Sequence, residues 1–569
     1  MIQRVFFVIV CIMALLGGFV FSAGAVVHIR VPLEIPVRDV RPEPHGQTFL
    51  TADAYLPAET GAWPVILIQT PYNKDLYAAI FLYEISQDPL LKSPDYAFVV
   101  ADWRGFFDNV HDLYAGCPTH GEDGYDMVEW VAEQTWCTGR IGTWGLSALG
   151  HVQFLTAAEQ PPHLVCAVPM VAHYGTRYED YYPGGVYYRN KNDFIESYYG
   201  STSLVKAHPL YDTVWQAAES LTGDPAVINV PMLHISGWYD HQTRTSMREM
   251  QAIHTLGGPL AKGYQKMFIG PWAHGSIDEL TQGQLEYPLA QYKSSEAALA
   301  FFDFYLRSIS NGYDTRPTYR YYRLGEERWV DSTSFPSSNV RTMDYFFHPD
   351  HTLVREKPGS SSSIAYWADP SNPVPTIFGA VLTETYGQQG TGDLRSVEAR
   401  SDVLTFTTAP QKTAMRIEGT VQAQVWVQSD CIDTDIAVRM MQVYPDGRSM
   451  LLIDGIHRAS LRDSFSQKQL LTPGMVYKVQ VTLPPVSATI PASHALRISV
   501  GPSNFDRFDK NMQDGSSLSD DIGASTVSGN VTVLLGGDHA SCITLPLAPN
   551  PASALPPVLI PLLLDPSPG

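Results

Sequence analysis

The chain has 569 residues, 44% hydrophobic and 11% aromatic, with only 17% charged. That length exceeds a usual single domain, and the apolar content is ample for sizeable cores, so two or three domains are expected and long disordered tracts are not. A formal net charge of −20 argues against nucleic acid as a partner, because there is no basic surplus to neutralise phosphates.

Met1 to Ala25 reads as an export signal: Arg4 supplies the positive start, Phe6 to Phe21 is apolar, and Ala23-Gly24-Ala25 forms a small-residue cleavage site. Cleavage there would give a secreted or periplasmic chain with no membrane span. The alternative is an uncleaved anchor, since Val5 to Val27 is long enough to cross a bilayer. Beyond Cys11 the cysteines are Cys117, Cys137, Cys166, Cys431 and Cys542. Their spacing has no zinc pattern, so no metal or cofactor is expected, and it permits at most two disulfides of undetermined pairing.

From about residue 48 to 165, apolar runs such as Pro64–Gln69 and Ala97–Asp102 alternate with helical spacings such as Met127, Trp130 and Val131. Strand, helix, strand in that order predicts a parallel α/β sheet. Residues 174–229 interrupt it as a tyrosine-rich, mainly helical insertion. The pattern resumes with Val230–Ser236 and Lys266–Gly270, with helices expected near Thr245–His254 and Ser294–Ile309. The α/β domain thus takes in 26–173 and 230–314. From 315 to 546 short alternating runs predict an all-β domain of sandwich or jelly-roll type, for example Arg320–Leu324, Val421–Val427 and Tyr477–Leu483. Residues 547–569 read as a proline-rich extended tail.

Within the first domain, Gly145-Leu146-Ser147-Ala148-Leu149-Gly150 lies between an apolar run and a helical segment. A serine among small residues at a strand-to-helix junction is the layout of a nucleophile elbow. The spacing Gly-x-Ser-x-x-Gly carries one residue more than the usual motif, so an ordinary glycine-rich turn is the competing reading. Two later strand ends supply partners: Ser236-Gly237-Trp238-Tyr239 runs into Asp240, and Gly270-Pro271-Trp272-Ala273 runs into His274. Residues that follow parallel strands gather at one sheet edge, and the order Ser, Asp, His is that of an α/β-hydrolase. His274 would act as base and Asp240 would hold its tautomer. Asp240 could instead cap a helix, and His274 could be one loop histidine among 17. His151 and His241 are lesser candidates for the base; His241 could line the pocket. The Ala148 amide is a candidate oxyanion donor, and Tyr72, in Thr70-Pro71-Tyr72-Asn73-Lys74, could be a second.

The segments Pro71-Tyr72, Asp102-Trp103-Arg104-Gly105, Trp136-Cys137, Gly145–Gly150, Gly237–Asp240, Gly270–His274 and Ser503–Asn511 occur in one order that resembles the cocaine esterase / Xaa-Pro dipeptidyl-peptidase-like serine hydrolases. The resemblance spans about residues 35 to 546. It implies an α/β-hydrolase domain with an inserted helical cap, followed by an all-β jelly-roll domain. It also implies Ser147, His274 and Asp240 as triad, with the Tyr72 hydroxyl and Ala148 amide as oxyanion donors. The chain departs from the family at Ala148, where an aromatic residue is usual, and at Phe106-Phe107-Asp108. Relatives that hydrolyse α-amino-acid esters carry acidic residues just after the triad aspartate; His241-Gln242-Thr243-Arg244 stand here. The expectation is therefore a hydrolase of small esters or amides. An Xaa-Pro dipeptidyl-peptidase is the alternative, and a non-catalytic ligand-binding protein a more distant one. Tyr181, Tyr182, Tyr187 and Trp215 of the cap are candidate pocket liners or cap core.

Overall fold

The computed structural model describes residues 28–41, 46–82, 87–200, 202–384 and 387–550. The export signal read at 1–25 and most of the tail lie outside them. Strands β1 (Ile29–Arg41), β2 (Gly46–Leu56), β3 (Trp63–Thr70), β4 (Ala97–Asp102), β5 (Cys137–Leu146), β6 (Leu164–Met170), β7 (Leu233–Tyr239) and β8 (Lys266–Ala273) form most of one sheet. Its order is β1-β2-β4-β3-β5-β6-β7-β8 followed by two further strands, ten in all. From β4 through β8 the pairings are parallel, while β1 and β2 run antiparallel at one margin. β4 is buried along its whole length, as a parallel strand covered on both faces must be.

The helices follow the apolar spacing. His120–Ala132 starts at a capping box, in which Thr119 accepts from the Glu122 amide and Glu122 accepts from the Thr119 amide. It buries Met127, Val128 and Val131. Thr243–Leu256 and Lys293–Arg307 are the two helices expected near 245–254 and 294–309. Between β6 and β7 the chain leaves the sheet through the helices Tyr178–Tyr181, Arg189–Tyr199, Thr202–Ala207 and Thr213–Leu221.

Two strands cross the bounds drawn from the sequence. The run Arg320–Leu324, assigned above to the β domain, is instead the ninth strand of the α/β sheet. β9 (Tyr319–Arg323) pairs parallel with β8, and β10 (Arg328–Ser332) pairs antiparallel with β9. A short alternating strand carries no mark of which sheet it joins. At the other end, the tail was begun at residue 547, but Leu547 and Ala548 belong to the strand Cys542–Ala548, paired with Arg341–Phe347.

The C-terminal domain is a β sandwich with a seven-stranded and a four-stranded sheet. In Met415–Ser429 inward Val421, Ala423, Val425 and Val427 are fully buried while Thr420 and Gln422 face solvent, the alternation of a half-buried strand. The two domains are stitched at β9. The Leu324 amide donates to the Ser487 carbonyl (3.0 Å), the Thr489 amide to Leu324 (2.8 Å), and the buried Arg323 guanidinium pairs with buried Glu418. The run Ser503–Asn511 joins the helical insertion to the sandwich. Arg507 pairs with Asp454, its carbonyl accepts from the Asn190 amide (3.1 Å), and Asp509 pairs with Arg189 (2.9 Å). Among the described residues no helix is long and apolar enough to cross a membrane, and Cys117, Cys137, Cys166, Cys431 and Cys542 are free thiols.

Candidate active site

β5 ends at Leu146 and the next helix, Ala148–Ala158, begins two residues later. Ser147 between them has φ 58° and ψ −118°, a region that costs a non-glycine residue on the order of 1–3 kcal/mol. Its amide donates to the Met170 carbonyl at the end of β6 (2.9 Å), which anchors the turn. Both flanking glycines are required sterically. A Cβ on Gly145, whose φ is +146°, would lie 2.5 Å from the Leu149 Cβ. One on Gly150 would lie 2.6 Å from the Ala172 Cβ and 2.8 Å from the Met170 carbonyl oxygen. The second glycine of the six-residue spacing thus lets the helix lie directly on β6.

Asp240 follows β7 and His274 follows β8, so adjacent parallel strands deliver both to the edge where Ser147 stands. His274 Nε2 is 2.9 Å from Ser147 Oγ, and His274 Nδ1 is 2.5 Å from Asp240 Oδ2. Asp240 and His274 are 3% and 1% exposed, so the pair is shielded from water. The capping alternative for Asp240 is not realised, since Gln242 is the N-cap of the helix Thr243–Leu256 and no side chain caps it; the other oxygen, Oδ1, instead accepts from the Gln242 amide (2.6 Å) in the turn before that helix. This fixes the carboxylate's orientation. His151 is turned elsewhere, with Nδ1 on the His173 carbonyl at 2.8 Å, and burial lowers its pKa.

Ala148 occupies the first position of its helix, where the helix itself offers the N–H no partner. Tyr72 lies beyond β3 on the same edge and is 6% exposed. Its loop is pinned at several points. The Tyr72 amide donates to Thr70 Oγ1 (3.0 Å), the Trp103 amide to the Thr70 carbonyl (2.9 Å), and the Lys74 amide to Asp102 Oδ1 (2.8 Å). Burial pushes the Asp102 carboxyl up to about 7. The helical insertion adds two tyrosines that the sequence reading did not single out. Tyr198 donates to the Pro71 carbonyl (2.9 Å) and packs edge-on to the Tyr72 ring, and the Tyr199 hydroxyl stands 3.4 Å from that of Tyr72. Behind His274, the Gly275 amide donates to Gln389 Oε1 (2.9 Å), a side chain from far along the chain. Contacts of such sequence separation leave no local signal.

His241 lies beside the pair, its ring centroid 4.5 Å from that of His274. Burial, His274, Lys191 and Arg507 hold its pKa well below the usual value, so it is neutral. Asp240, His241 and His274 offer ligand atoms within 4.8 Å of one another, enough to hold a metal ion. The Asp240–His274 hydrogen bond already occupies two of those atoms, which suits proton transfer rather than ligation. Of the two readings open for the cap aromatics, packing is the one seen for Trp215. Trp215 donates to the His208 carbonyl (2.8 Å) and packs with Tyr178, Tyr181, Tyr182 and Tyr187 in a cluster that also takes in Leu518 and Phe465 of the C-terminal domain. Neither Trp215 nor Tyr181 lines the cavity next to His241, which is bordered by Tyr188, Lys191 and Gln242 instead.

The family described as X-Pro dipeptidyl-peptidase (S15 family) matches residues 46–203 and 199–276, and the family described as X-Pro dipeptidyl-peptidase C-terminal non-catalytic domain matches residues 311–544. A cocaine esterase from Rhodococcus sp. (strain MB1 Bresler) is 26% identical over 562 residues, covering 88% of this chain and 96% of that protein. Among solved structures, an aminopeptidase from a marine sediment Thaumarchaeota archaeon superposes with a TM-score of 0.79 at 20% identity, covering 94% of this chain and 98% of that one. An α-amino acid ester hydrolase superposes with a TM-score of 0.77 at 20% identity, covering 93% and 98%. Both are similar in fold.

Proposed function

Since the chain belongs to the cocaine esterase / X-Pro dipeptidyl-peptidase-like family of serine hydrolases, we propose that it cleaves small esters or amides through a Ser147–His274–Asp240 triad and an acyl-enzyme. The observation that carries this reading is the unbroken hydrogen-bond path from Ser147 Oγ through both nitrogens of His274 to Asp240. Ser147 Oγ attacks the carbonyl carbon while His274 Nε2 takes its proton. Asp240 stabilises the imidazolium and fixes its tautomer. The Ala148 amide and Tyr72 hydroxyl receive the oxyanion. Collapse expels the alcohol or amine, which takes the proton from His274. Water then repeats the sequence on the acyl-enzyme, releasing the acid and restoring the serine.

Esters and amides come before Xaa-Pro peptides in this proposal, because His241, Gln242 and Thr243 follow Asp240 with no acidic side chain to meet a substrate ammonium. Xaa-Pro dipeptides are the second reading, favoured by the description of the two matching families. An exported location rests on the signal read in Met1 to Ala25. A fluorophosphonate should label Ser147 covalently, with labelling abolished in Ser147→Ala; a folded, unlabelled wild type sinks the proposal. A panel of 4-nitrophenyl acyl esters beside Xaa-Pro-4-nitroanilides then orders the two readings, and preference for the anilides reverses it.

A further inference from the structure

A cavity of about 330 Å³ opens between the helical insertion, the start of the helix Thr243–Leu256 and the β sandwich, with His241 forming the wall toward His274. Five lysine and arginine side chains line it against three carboxylates. In a chain of net charge −20 this is a local reversal of sign. Most of the arginines have partners: Arg507 pairs with Asp454, Arg244 with Glu179, and Arg248 with Glu249.

Lys191 does not. It is 5% exposed, in the first turn of Arg189–Tyr199, and its ammonium donates to the Asp180 carbonyl (2.6 Å) above the Tyr181 ring (4.2 Å to the centroid). Among the described residues no carboxylate pairs with it. An ammonium has three donors, and one carbonyl satisfies one of them. Burying a cation is costly, and here burial lowers the Lys191 pKa to about 8 although the Asp180 carboxylate nearby opposes the shift. His241 adds a second unmet group. Its Nε2 faces the Gln242 amide nitrogen at 3.4 Å, and its Nδ1 makes no hydrogen bond, lying 3.7 Å from Asp240 Oδ2. Accepting from Gln242 at Nε2 leaves the proton on Nδ1. Gln242 Oε1 is likewise unpartnered.

We infer that this cavity is a subsite for a carboxylate carried by the substrate, with Lys191 supplying the counter-charge beside the acid–base pair. The inference rests on the serine-hydrolase reading of Ser147, Asp240 and His274, and it names the substrate class: monoesters or monoamides of dicarboxylic acids, and compounds like them. A single carboxylate fits better than a phosphate dianion. The three wall carboxylates, Asp180, Asp454 and Glu179, oppose a second negative charge, while one such charge balances the unpaired ammonium. Selection then works through both attraction and refusal: a neutral substrate leaves the Lys191 donors unmet.

Mono-4-nitrophenyl adipate compared with methyl 4-nitrophenyl adipate tests the subsite directly, since the methyl ester removes the distal charge and adds only one methyl group. The wild type should favour the acid in kcat/KM by about tenfold or more, the scale of one charge-assisted hydrogen bond. In Lys191→Gln, which can still donate to the Asp180 carbonyl, that ratio should fall toward one. A wild type that favours the methyl ester, or a ratio preserved in Lys191→Gln, overturns the inference. Calorimetry with free adipate and adipamide gives a reading independent of turnover and of any variant. Tighter binding of adipate supports the subsite even if Ser147 proves unreactive, whereas equal binding rejects it even if Ser147 is labelled.

Discussion

Removing one oxygen atom, in Tyr72→Phe, separates the chemistry of the site from its architecture. The loop that carries Tyr72 is held by groups the substitution leaves in place: Thr70 Oγ1 on the Tyr72 amide, Asp102 on the Lys74 amide, and the edge-on contact with Tyr198. The hydroxyl stands 3.4 Å from that of Tyr199, near the limit for a hydrogen bond, so losing that contact should change stability by no more than about 1 kcal/mol. Loss of one oxyanion donor from a preorganised site costs about 10²–10³ in kcat, or roughly 2.7–4 kcal/mol. The Ala148 amide remains, so turnover falls without vanishing. Pre-steady-state and steady-state turnover of a 4-nitrophenyl ester, with a thermal melt of the same preparation, should show a fall of that size in kcat, a nearly constant KM and an unchanged Tm. A loss below tenfold, a loss expressed wholly in KM, or a matching fall in Tm would refute the assignment of Tyr72.

Three other perturbations probe different parts of the structure. Gly150→Ala forces a methyl against the Ala172 Cβ and the Met170 carbonyl oxygen, so calorimetry should record a loss of about 1–3 kcal/mol from overpacking; an unaltered melt would mean the helix has room on β6. Gln389→Ala strands the Gly275 amide behind His274, and kcat should drop roughly tenfold for the 1–3 kcal/mol value of an unmet donor, with Ser147 labelling slowed in parallel. Asp278, buried and accepting from Ser294 and Ser295, has its pKa raised to about 7 by burial. Between the usual carboxylate value and 7, the folded form keeps a proton the unfolded chain has shed, so this group's contribution to stability declines as pH rises and levels off above 7. In Asp278→Asn the difference in Tm from wild type should therefore move in the variant's favour from pH 5 to pH 8; a pH-independent difference would contradict the raised pKa.

What the sequence disclosed follows from where the information sits. Ser147, Asp240 and His274 each directly follow a strand that the local sequence marks, and parallel strands put their ends on one edge whatever lies between. The elbow was legible for the same reason, since Gly145 and Gly150 answer to contacts within a few residues or on the next strand. The strand Tyr319–Arg323 was seen as a strand but given to the wrong sheet, because period-two alternation reports exposure and not partnership. Trp215 and Lys191 show the opposite failure. An aromatic in a cap reads equally as pocket wall or as packing, and only the fold shows Trp215 to be packing, while a lysine between polar neighbours gives no sign that folding will bury it. Tyr199 and Gln389 act across more than a hundred residues, where composition and spacing say nothing.

The continuation of the catalytic sheet past residue 315 bears on how this protein can be rebuilt. A chimera spliced at the apparent end of the α/β pattern would carry β8 as a bare margin, with its row of peptide groups open to any passing strand. His274 stands immediately beyond that strand, so the damage would begin next to the base. A junction placed after Ser332 keeps β9 and β10 with the half of the molecule they complete.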